Sequence, residues 1–252
     1  MSAREGPIHV VVLTGAGVSA DSGVRTFRDA GGLWEGRRPE DVATPEAWAA
    51  QRELVWRFYQ ERRSVLPSVQ PNAAHLALAA LERQLTAANF DFTLATQNVD
   101  DLHERAGSSP LHMHGELACL RCEACGARLR DLERTDPAHA LPCADCGHAA
   151  LRPDVVWFGE LPYHLERIER DLRAATHVLA VGTSGQVWPA AGFLSAARDW
   201  GAAIWVQALE RPANAQRDDR FVAGRAAEVL PGLLAELEAE LEAVGARPAE
   251  SP

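Results

Sequence analysis

A strand-like run that leads directly into a glycine-rich turn constrains this chain more than any other feature. The apolar run from Ile8 to Thr14 is followed by Gly15-Ala-Gly17-Val-Ser-Ala20. A strand that ends in G-x-G-x-x-G/A and opens into a helix is typical of dinucleotide-binding sheets, because glycines let the backbone approach a pyrophosphate. The pattern is short, so a tight strand-to-helix turn without any ligand stays open as the alternative.

Further strand-length apolar runs predict the sheet to which this turn belongs. Their hydrophobicity is continuous rather than alternating, which favours parallel strands that helices cover on both faces. Segments with helical periodicity separate them. The sequence therefore predicts an α/β fold with a Rossmann-like doubly wound parallel sheet, whose strands are 8–14, 90–96, 177–181 and 203–209 and whose helices include 45–65, 73–85, 189–200 and a C-terminal one around 230–244.

Four of the five cysteines form two Cys-x-x-Cys pairs, each followed at once by glycine. The pairs are Cys122 with Cys125 and Cys143 with Cys146, and seventeen residues separate them. This spacing indicates a tetrahedral Zn²⁺ site, and four sulfur ligands leave no open position, so the ion is structural. Two disulfides or a chance pattern are the alternatives, and disulfides are disfavoured in a cytosolic chain. Cys119 is a weaker rival ligand.

These features predict a nucleotide-binding domain that carries an inserted small domain, made of a helical module and a zinc ribbon. The expected boundaries are residues 1–33, 86–117 and 152–245 for the Rossmann-like domain, 34–85 for the helical insertion, 118–151 for the zinc-binding module and 246–252 for a tail.

The charge balance limits the partners. The chain has 35 acidic and 25 basic residues, a net charge of -10, so the clustered positive charge that binds nucleic acid or anionic membrane is not expected. No apolar run approaches the roughly 20 residues of a membrane helix, and the N-terminus does not resemble a signal peptide. We expect a cytoplasmic monomer.

All 25 basic residues are arginine, which excludes a Schiff-base or P-loop lysine mechanism. A GC-rich genome would by itself also produce this use of arginine in place of lysine.

Several sequence blocks, in one order, resemble a known enzyme family. GAGVSADSGVRTFR (15–28) and GGLW (31–34) precede TQNVDDLH (96–103) and HMHGE (112–116); the four cysteines, LRPDVVWFGE (151–160) and GTS (182–184) follow. From about residue 8 to about residue 235 the chain resembles the sirtuins, NAD-dependent protein lysine deacylases. The resemblance implies NAD and one structural Zn²⁺ as cofactors and acylated lysine side chains of other proteins as partners. In the family reaction the acyl group passes to ADP-ribose, which gives nicotinamide, free lysine and O-acyl-ADP-ribose.

The resemblance also implies site residues. His114, which precedes a glycine, corresponds to the catalytic base, and an imidazole suits that role because it is largely neutral near pH 7. Asn98 is the second catalytic candidate, Arg28 would bind phosphate, and Phe27 would cover the reactive ribose. The implied cofactor-binding residues are Gly15, Ala16, Gly17, Asp21, Phe27, Arg28, Trp34, Gln97, Asn98, Asp100, Gly182, Thr183, Ser184, Ala208, Leu209, Glu210 and Ala226, and the segment expected to pair with the substrate backbone is Val156, Trp157, Phe158 and Gly159.

Tyr59 and Arg62 predict which acyl group is removed. They are three residues apart in a helical segment, so they share one face, and a hydroxyl beside a guanidinium suits a carboxylate. The pair resembles the Tyr-x-x-Arg of class III sirtuins, which prefer succinyl, malonyl and glutaryl lysine to acetyl lysine. The alternative is a solvated helix face on which the arginine pairs with Glu61 or another neighbour.

One departure and three competing functions stay open. Ala208-Leu209-Glu210 stands where sirtuins carry Asn-x-Glu, so the contact to the adenosine ribose is in doubt unless Gln207 supplies it. The competing functions are a general protein deacetylase, a mono-ADP-ribosyltransferase and a non-catalytic NAD or ADP-ribose sensor. The Tyr59 and Arg62 pair disfavours the transferase, which needs no carboxylate site. Retention of His114, Asn98 and Asp100 together disfavours the sensor, because a protein that only binds does not require the base.

Overall fold

The larger part of the protein is a parallel sheet with helices on both faces. The computed structural model describes residues 7–24, 37–139 and 141–245. Its strands are β1 (His9–Thr14), β2 (Asp91–Thr96), β3 (Leu111–His112), β4 (Gly115–Cys122), β5 (Arg128–Arg130), β6 (Leu151–Val155), β7 (His177–Val181), β8 (Ala203–Ala208) and β9 (Arg220–Ala223). Its α-helices are α1 (Pro39–Val42), α2 (Pro45–Ala50), α3 (Arg52–Val65), α4 (Ala73–Ala87), α5 (Leu102–Ala106), α6 (Leu165–Ala174), α7 (Ala190–Asp199) and α8 (Ala226–Gly245).

The strand order of the six-stranded sheet is β3-β2-β1-β7-β8-β9, and every pair is parallel. Every residue of β1 and β7 is buried, which is the reason for their uninterrupted hydrophobicity. The predicted doubly wound fold is confirmed. The chain leaves β1 toward β2 on one side and returns in β7 on the other, and a crevice opens at the carboxyl ends of strands where the order reverses in this way.

Two apolar layers cover this sheet. α4 and α8 pack on one face through side chains that include Leu78 and Leu230, and α6 and α7 pack on the other through Ile168 and Leu194. The predicted helical insertion included α4, but α4 shares the core of the parallel sheet. The domain boundaries stay a prediction, and the packing favours a helical module that ends before α4.

Sequence periodicity missed some elements. The helix predicted over 45–65 is broken at Gln51, whose φ of -140° and ψ of 51° are not helical, and Thr44 caps the first half by accepting from the Ala47 N–H. β9 was not predicted because it is short and partly exposed at the sheet edge. α6 was missed because charged residues dominate its sequence, although Ile168 and Leu172 are buried.

A second, smaller sheet is antiparallel, with the order β5-β4-β6. It packs against α1, α2 and α3, and the shared core includes Trp48, Tyr59, Leu120 and Trp157. We call β4–β6 with α1–α3 the small region, and the parallel sheet with α4–α8 the large region. Every helix within residues 7–24, 37–139 and 141–245 is too short or too polar to cross a lipid bilayer.

Candidate active site

The glycine-rich turn lies where the carboxyl ends of β1 and β7 meet. The Gly15 N–H donates to the Val181 carbonyl and the Gly17 N–H to the Gly182 carbonyl, each at 2.9 Å. A Cβ at Gly17 would lie 2.7 Å from Gly182 Cα, so the two backbones come too close for any side chain. The glycines are therefore needed for this backbone packing, whatever they bind.

The α-helix expected directly after this turn does not begin within residues 15–24. Two 3₁₀ turns, Ala16–Val18 and Ala20–Ser22, stand there instead. An N-terminal helix dipole is therefore not supplied by the described part of this loop. The predicted cofactor contacts Phe27, Arg28 and Trp34 lie outside the described residues.

The loop after β2 brings three predicted residues to the same edge of the sheet. Gln97 Nε2 donates to Thr183 Oγ1 at 3.2 Å, which ties it to the loop after β7. Asn98 Nδ2 donates to Ser19 Oγ at 3.0 Å, and the Ser19 hydroxyl also hydrogen-bonds the Asp100 carboxyl. Burial raises the pKa of Asp100. The ends of β1, β2 and β7 thus form one polar cluster.

Ser19 is the centre of this cluster, and the sequence did not single it out. His75 Nδ1 accepts from the Asn72 N–H at 3.3 Å, so its Nε2 carries the proton that faces Ser19 Oγ, also at 3.3 Å. Burial lowers the pKa of His75 to about 4, consistent with a neutral ring. The only sequence signal for Ser19 was its place inside the glycine-rich pattern.

His114 lies on the turn between β3 and β4, which joins the two sheets. Its Nδ1 is 3.0 Å from the Gln97 carbonyl, and a carbonyl only accepts, so Nδ1 carries the proton and Nε2 has the free lone pair. Burial lowers the pKa of His114, which keeps the ring neutral near pH 7. Gly115 has φ +79°, and a Cβ there would collide with the Asp154 carbonyl, so glycine after the histidine is required.

The predicted acyl-pocket residues lie on α3 against the segment after β6. Tyr59 is fully buried, and its oxygen accepts from Trp157 Nε1 at 2.9 Å. The Arg62 guanidinium lies 5.6 Å from the Phe58 ring and is close enough to Tyr59 to oppose the rise that burial causes in its pKa. The hydroxyl and the guanidinium therefore share one side of α3.

The predicted substrate segment, residues 156–159, connects this pocket to the base. The Val156 N–H donates to the His114 carbonyl and the Phe158 N–H to the Ala43 carbonyl, both at 2.9 Å. The Phe158 side chain is exposed, and Gly159 adopts φ +92°. The segment thus contacts both the base and the helical module.

The four cysteines have the geometry of a zinc site. Cys122 Sγ is 3.7 Å from Cys146 Sγ, Cys125 Sγ is 3.7 Å from Cys143 Sγ, and all four sulfurs lie within 4.8 Å of one another. A tetrahedron with metal–sulfur bonds of about 2.3 Å has edges of about 3.8 Å, whereas a disulfide requires about 2.05 Å. The donor set therefore fits a structural Zn²⁺, as predicted. Cys119 stands outside this group and contacts Glu116 instead.

The remaining predicted cofactor residues lie on the loops after β8 and before α8. Asp21 accepts from Arg225 Nε at 2.7 Å and from the Ala227 N–H at 3.1 Å, so it also holds the start of α8. Gln207 Nε2 donates to the Gly224 carbonyl at 2.7 Å, which occupies its amide nitrogen. Of the other predicted positions, Ala16 and Ser184 are half-buried, Ala208 and Ala226 are buried, and Leu209 and Glu210 are exposed.

Comparison with known proteins identifies the family. A family model described as the Sir2 family matches residues 15–189. An NAD-dependent protein deacylase of Caulobacter vibrioides is 48% identical over 238 residues, which are 94% of this chain and 99% of that protein. A solved Sir2 homologue in complex with NAD is 38% identical, with a TM-score of 0.82 over 92% of this chain and 90% of that one. A mutant Sir2 homologue with ADP-ribose is also 38% identical, with a TM-score of 0.83 over 93% of each chain. The chain belongs to the Sir2 family.

Proposed function

We propose that this protein is an NAD-dependent protein-lysine deacylase that removes succinyl and malonyl groups and, more weakly, acetyl groups. The observation that carries the proposal is His114, a neutral base whose Nε2 has no hydrogen-bond partner among the described residues. Its Nδ1 contacts the Gln97 carbonyl, next to the polar cluster of Ser19, Asn98 and Asp100. Relatives named NAD-dependent protein deacylases and Sir2 structures with NAD and ADP-ribose support it.

The loops at the carboxyl ends of β1, β2 and β7 would hold NAD, which supplies the ADP-ribose that accepts the acyl group. Gln97 and Asn98 would bind its ribose and nicotinamide amide, and the buried Asp100 carboxyl would add a polar contact. His114 Nε2 would take the proton from a ribose hydroxyl. The residues proposed for the cofactor in the described part of the site are Gly15, Ala16, Gly17, Gln97, Asn98, Asp100, Gly182, Thr183 and Ser184.

The preference for acidic acyl groups rests on Tyr59 and Arg62. Both lie on α3, and Tyr59 is joined to the proposed substrate segment through Trp157. A carboxylate at the end of a succinyl chain would meet a hydroxyl donor and a positive charge, whereas an acetyl group offers neither interaction.

A direct assay tests the reaction. The protein is incubated with NAD and succinyl-, acetyl- or unmodified lysine peptides, and peptide mass and free nicotinamide are followed together. We expect deacylation, fastest for succinyl, with one nicotinamide released per acyl group removed. His114→Ala should lower the rate about 10²- to 10⁴-fold, as for loss of a general base. Nicotinamide release with ADP-ribose attached to the peptide would point to a transferase, and no release with any peptide would sink the catalytic proposal.

Two substitutions test the acyl preference. Tyr59→Phe with Arg62→Met should slow desuccinylation by at least about 100-fold, because both partners of the carboxylate are lost, while weak deacetylation remains. Arg57→Met, an exposed position on the same helix, is the matched control and should change neither rate. Equal loss of both activities in the double variant would refute the acidic pocket.

A further inference from the structure

His112 and His114 lie two residues apart and contact two successive carbonyls of one segment. His112 Nδ1 is 3.0 Å from the Asn98 carbonyl, and His114 Nδ1 is 3.0 Å from the Gln97 carbonyl. Since a carbonyl only accepts, both rings must donate from Nδ1. The two histidines therefore hold the same segment, one on each carbonyl.

The second nitrogen distinguishes the two rings. His112 Nε2 is 2.6 Å from Glu104 Oε1, so this nitrogen also faces an acceptor. A ring that donates from both nitrogens is an imidazolium, so contacts to a carbonyl and to an ionised carboxylate favour a positively charged His112 beside His114. Burial opposes that charge, but the hydrogen bond and charge of Glu104 and the Asn98 carbonyl raise the pKa of His112.

The other charged groups around His112 leave Glu104 as its carboxylate partner. Glu116 lies close to both, but its two oxygens accept from Arg128 and Arg130. Glu104 Oε2 is buried without a hydrogen-bond partner among the described residues, so His112 is the group that compensates this carboxylate. Asp100, His103 and His164 are the other titratable neighbours, and His164 and His103 have lowered pKa values, chiefly through burial.

We propose that His112, held as an imidazolium by Glu104, is a positioning residue for the reaction proposed above. Its Nδ1–H fixes the Asn98 carbonyl, and through it the Gln97–Asn98 segment that binds NAD and supports His114. Its Nε2–H fixes Glu104 on α5. The charge keeps two donors on one ring, and because His112 is only 5% exposed we assign it no contact with substrate.

Two variants of His112 separate its two contacts. Asparagine places an amide nitrogen near the position of Nδ1, and glutamine places one near Nε2. His112→Asn should keep the Asn98 contact and stay within about 3-fold of wild type, whereas His112→Gln should raise KM for NAD and lower kcat by about 10-fold in total, the loss of roughly one hydrogen bond.

The matched control is His177→Gln. His177 is also buried and also faces a carboxylate, Glu240 at 3.4 Å, but it lies at the opposite end of β7 from the site. It should lower the melting temperature without changing KM, kcat or the pH profile. NAD affinity measured by calorimetry provides a second comparison that does not require turnover.

The outcomes separate the two proposals. If wild type releases no nicotinamide with any acyl peptide, the proposed function fails, and NAD binding by the variants still decides the role of His112. Weaker NAD binding in His112→Gln than in His112→Asn supports the inference. Equal impairment of those two variants, or an effect of His112→Gln no larger than that of His177→Gln, would overturn it.

Discussion

The large and small regions of this protein are stabilised in different ways. In the large region β1 and β7 are buried at every position, and apolar layers cover both faces of the sheet. In the small region β5 exposes Arg128 and Arg130, and these arginines pair with Glu116, Asp154 and Asp101. Burial of apolar surface stabilises the first, whereas a metal site and ion pairs supplement a smaller core in the second.

This difference matters because the proposed base lies between the two regions. His114 follows β3 of the parallel sheet and precedes β4 of the antiparallel one. Its ring contacts the large region through Gln97, and its carbonyl contacts the segment after β6. A loss of structure in either region therefore displaces the same residue.

Removal of the metal should have the largest effect. Cys143→Ser or treatment with a chelator should unfold the small region, because structural zinc contributes on the order of 10 kcal/mol to folding in small domains. We expect loss of zinc and of the near-ultraviolet circular dichroism of Trp48 and Trp157, with the far-ultraviolet signal of the large region retained. Cys119→Ser is the control and should retain one zinc per chain. A metal-free protein with an unchanged tryptophan signal would show that the small region does not depend on zinc for its folding.

Acid should weaken the large region before the carboxylates of the small region titrate. Burial lowers the pKa of His75 to about 4 and that of His103 to about 3, from 6.5. Below about pH 6.5 the unfolded chain therefore takes up protons that the folded protein does not, and stability falls as pH falls toward 4. At pH 5 the two together should cost on the order of 4 kcal/mol.

Urea unfolding at pH 7, 6 and 5 measures this loss. His139→Asn, at an exposed position, should show the same pH dependence as wild type. A free energy of unfolding that does not change between pH 7 and pH 5 would show that these histidines are not held neutral.

The close approach of the turns that follow β1 and β7 should have an intermediate effect on stability. Gly17→Ala should destabilise the protein by about 2 kcal/mol, because the added Cβ would force the backbone away from Gly182. Gly232→Ala, where α8 leaves open space, should be neutral or stabilising by about 0.5–1 kcal/mol. Thermal denaturation of the two variants makes the comparison, and equal melting temperatures would mean that the turn relaxes freely.

The ion pairs of the small region should give the smallest effect. Arg128→Gln should cost about 1 kcal/mol of folding free energy. The buried Asp154 carboxylate then keeps the Tyr163 hydroxyl, but a neutral glutamine amide replaces the charged guanidinium. Arg38→Gln breaks the exposed pair with Asp41, which solvent screens, and should cost less than Arg128→Gln does. Equal losses in chemical denaturation would show that the burial of Asp154 does not matter.

Four of the six strands of the large region, β1, β2, β7 and β8, were predictable because burial on both faces leaves a continuous apolar run. The ends of β1, β2, β7 and β8 agree with the predicted runs to within one residue. The break at Gln51 was not predictable, because residues on both sides of it continue the helical pattern. Sequence periodicity also could not assign α4 to a region, since an apolar helix face does not specify which core it joins.

The candidate site was predictable where a residue type carries its own chemistry. The cysteine spacing predicted the zinc ligands, and the resemblance to sirtuins indicated His114 as the base, which stays a prediction. Ser19 and Glu104 were not identified, because a serine in a loop and a glutamate on a short helix have no local pattern that separates them from solvated residues. Their importance comes from partners that are distant along the chain, such as Asn98 for Ser19.

The sequence by itself determined the parallel sheet and the four-cysteine site, because each depends on residue types at short, regular spacings, and its motifs carried the resemblance to the sirtuins. Only the tertiary structure decided which groups the two neighbouring histidines contact. His112 and His114 are the same residue type two positions apart, and nothing local indicates which of them faces a carboxylate. Glu104 faces Nε2 of His112, while Nε2 of His114 has no such carboxylate among the described residues. The charge of a titratable group depends on its neighbours in space, and here the tertiary structure brings Glu104 of α5 to His112 of β3.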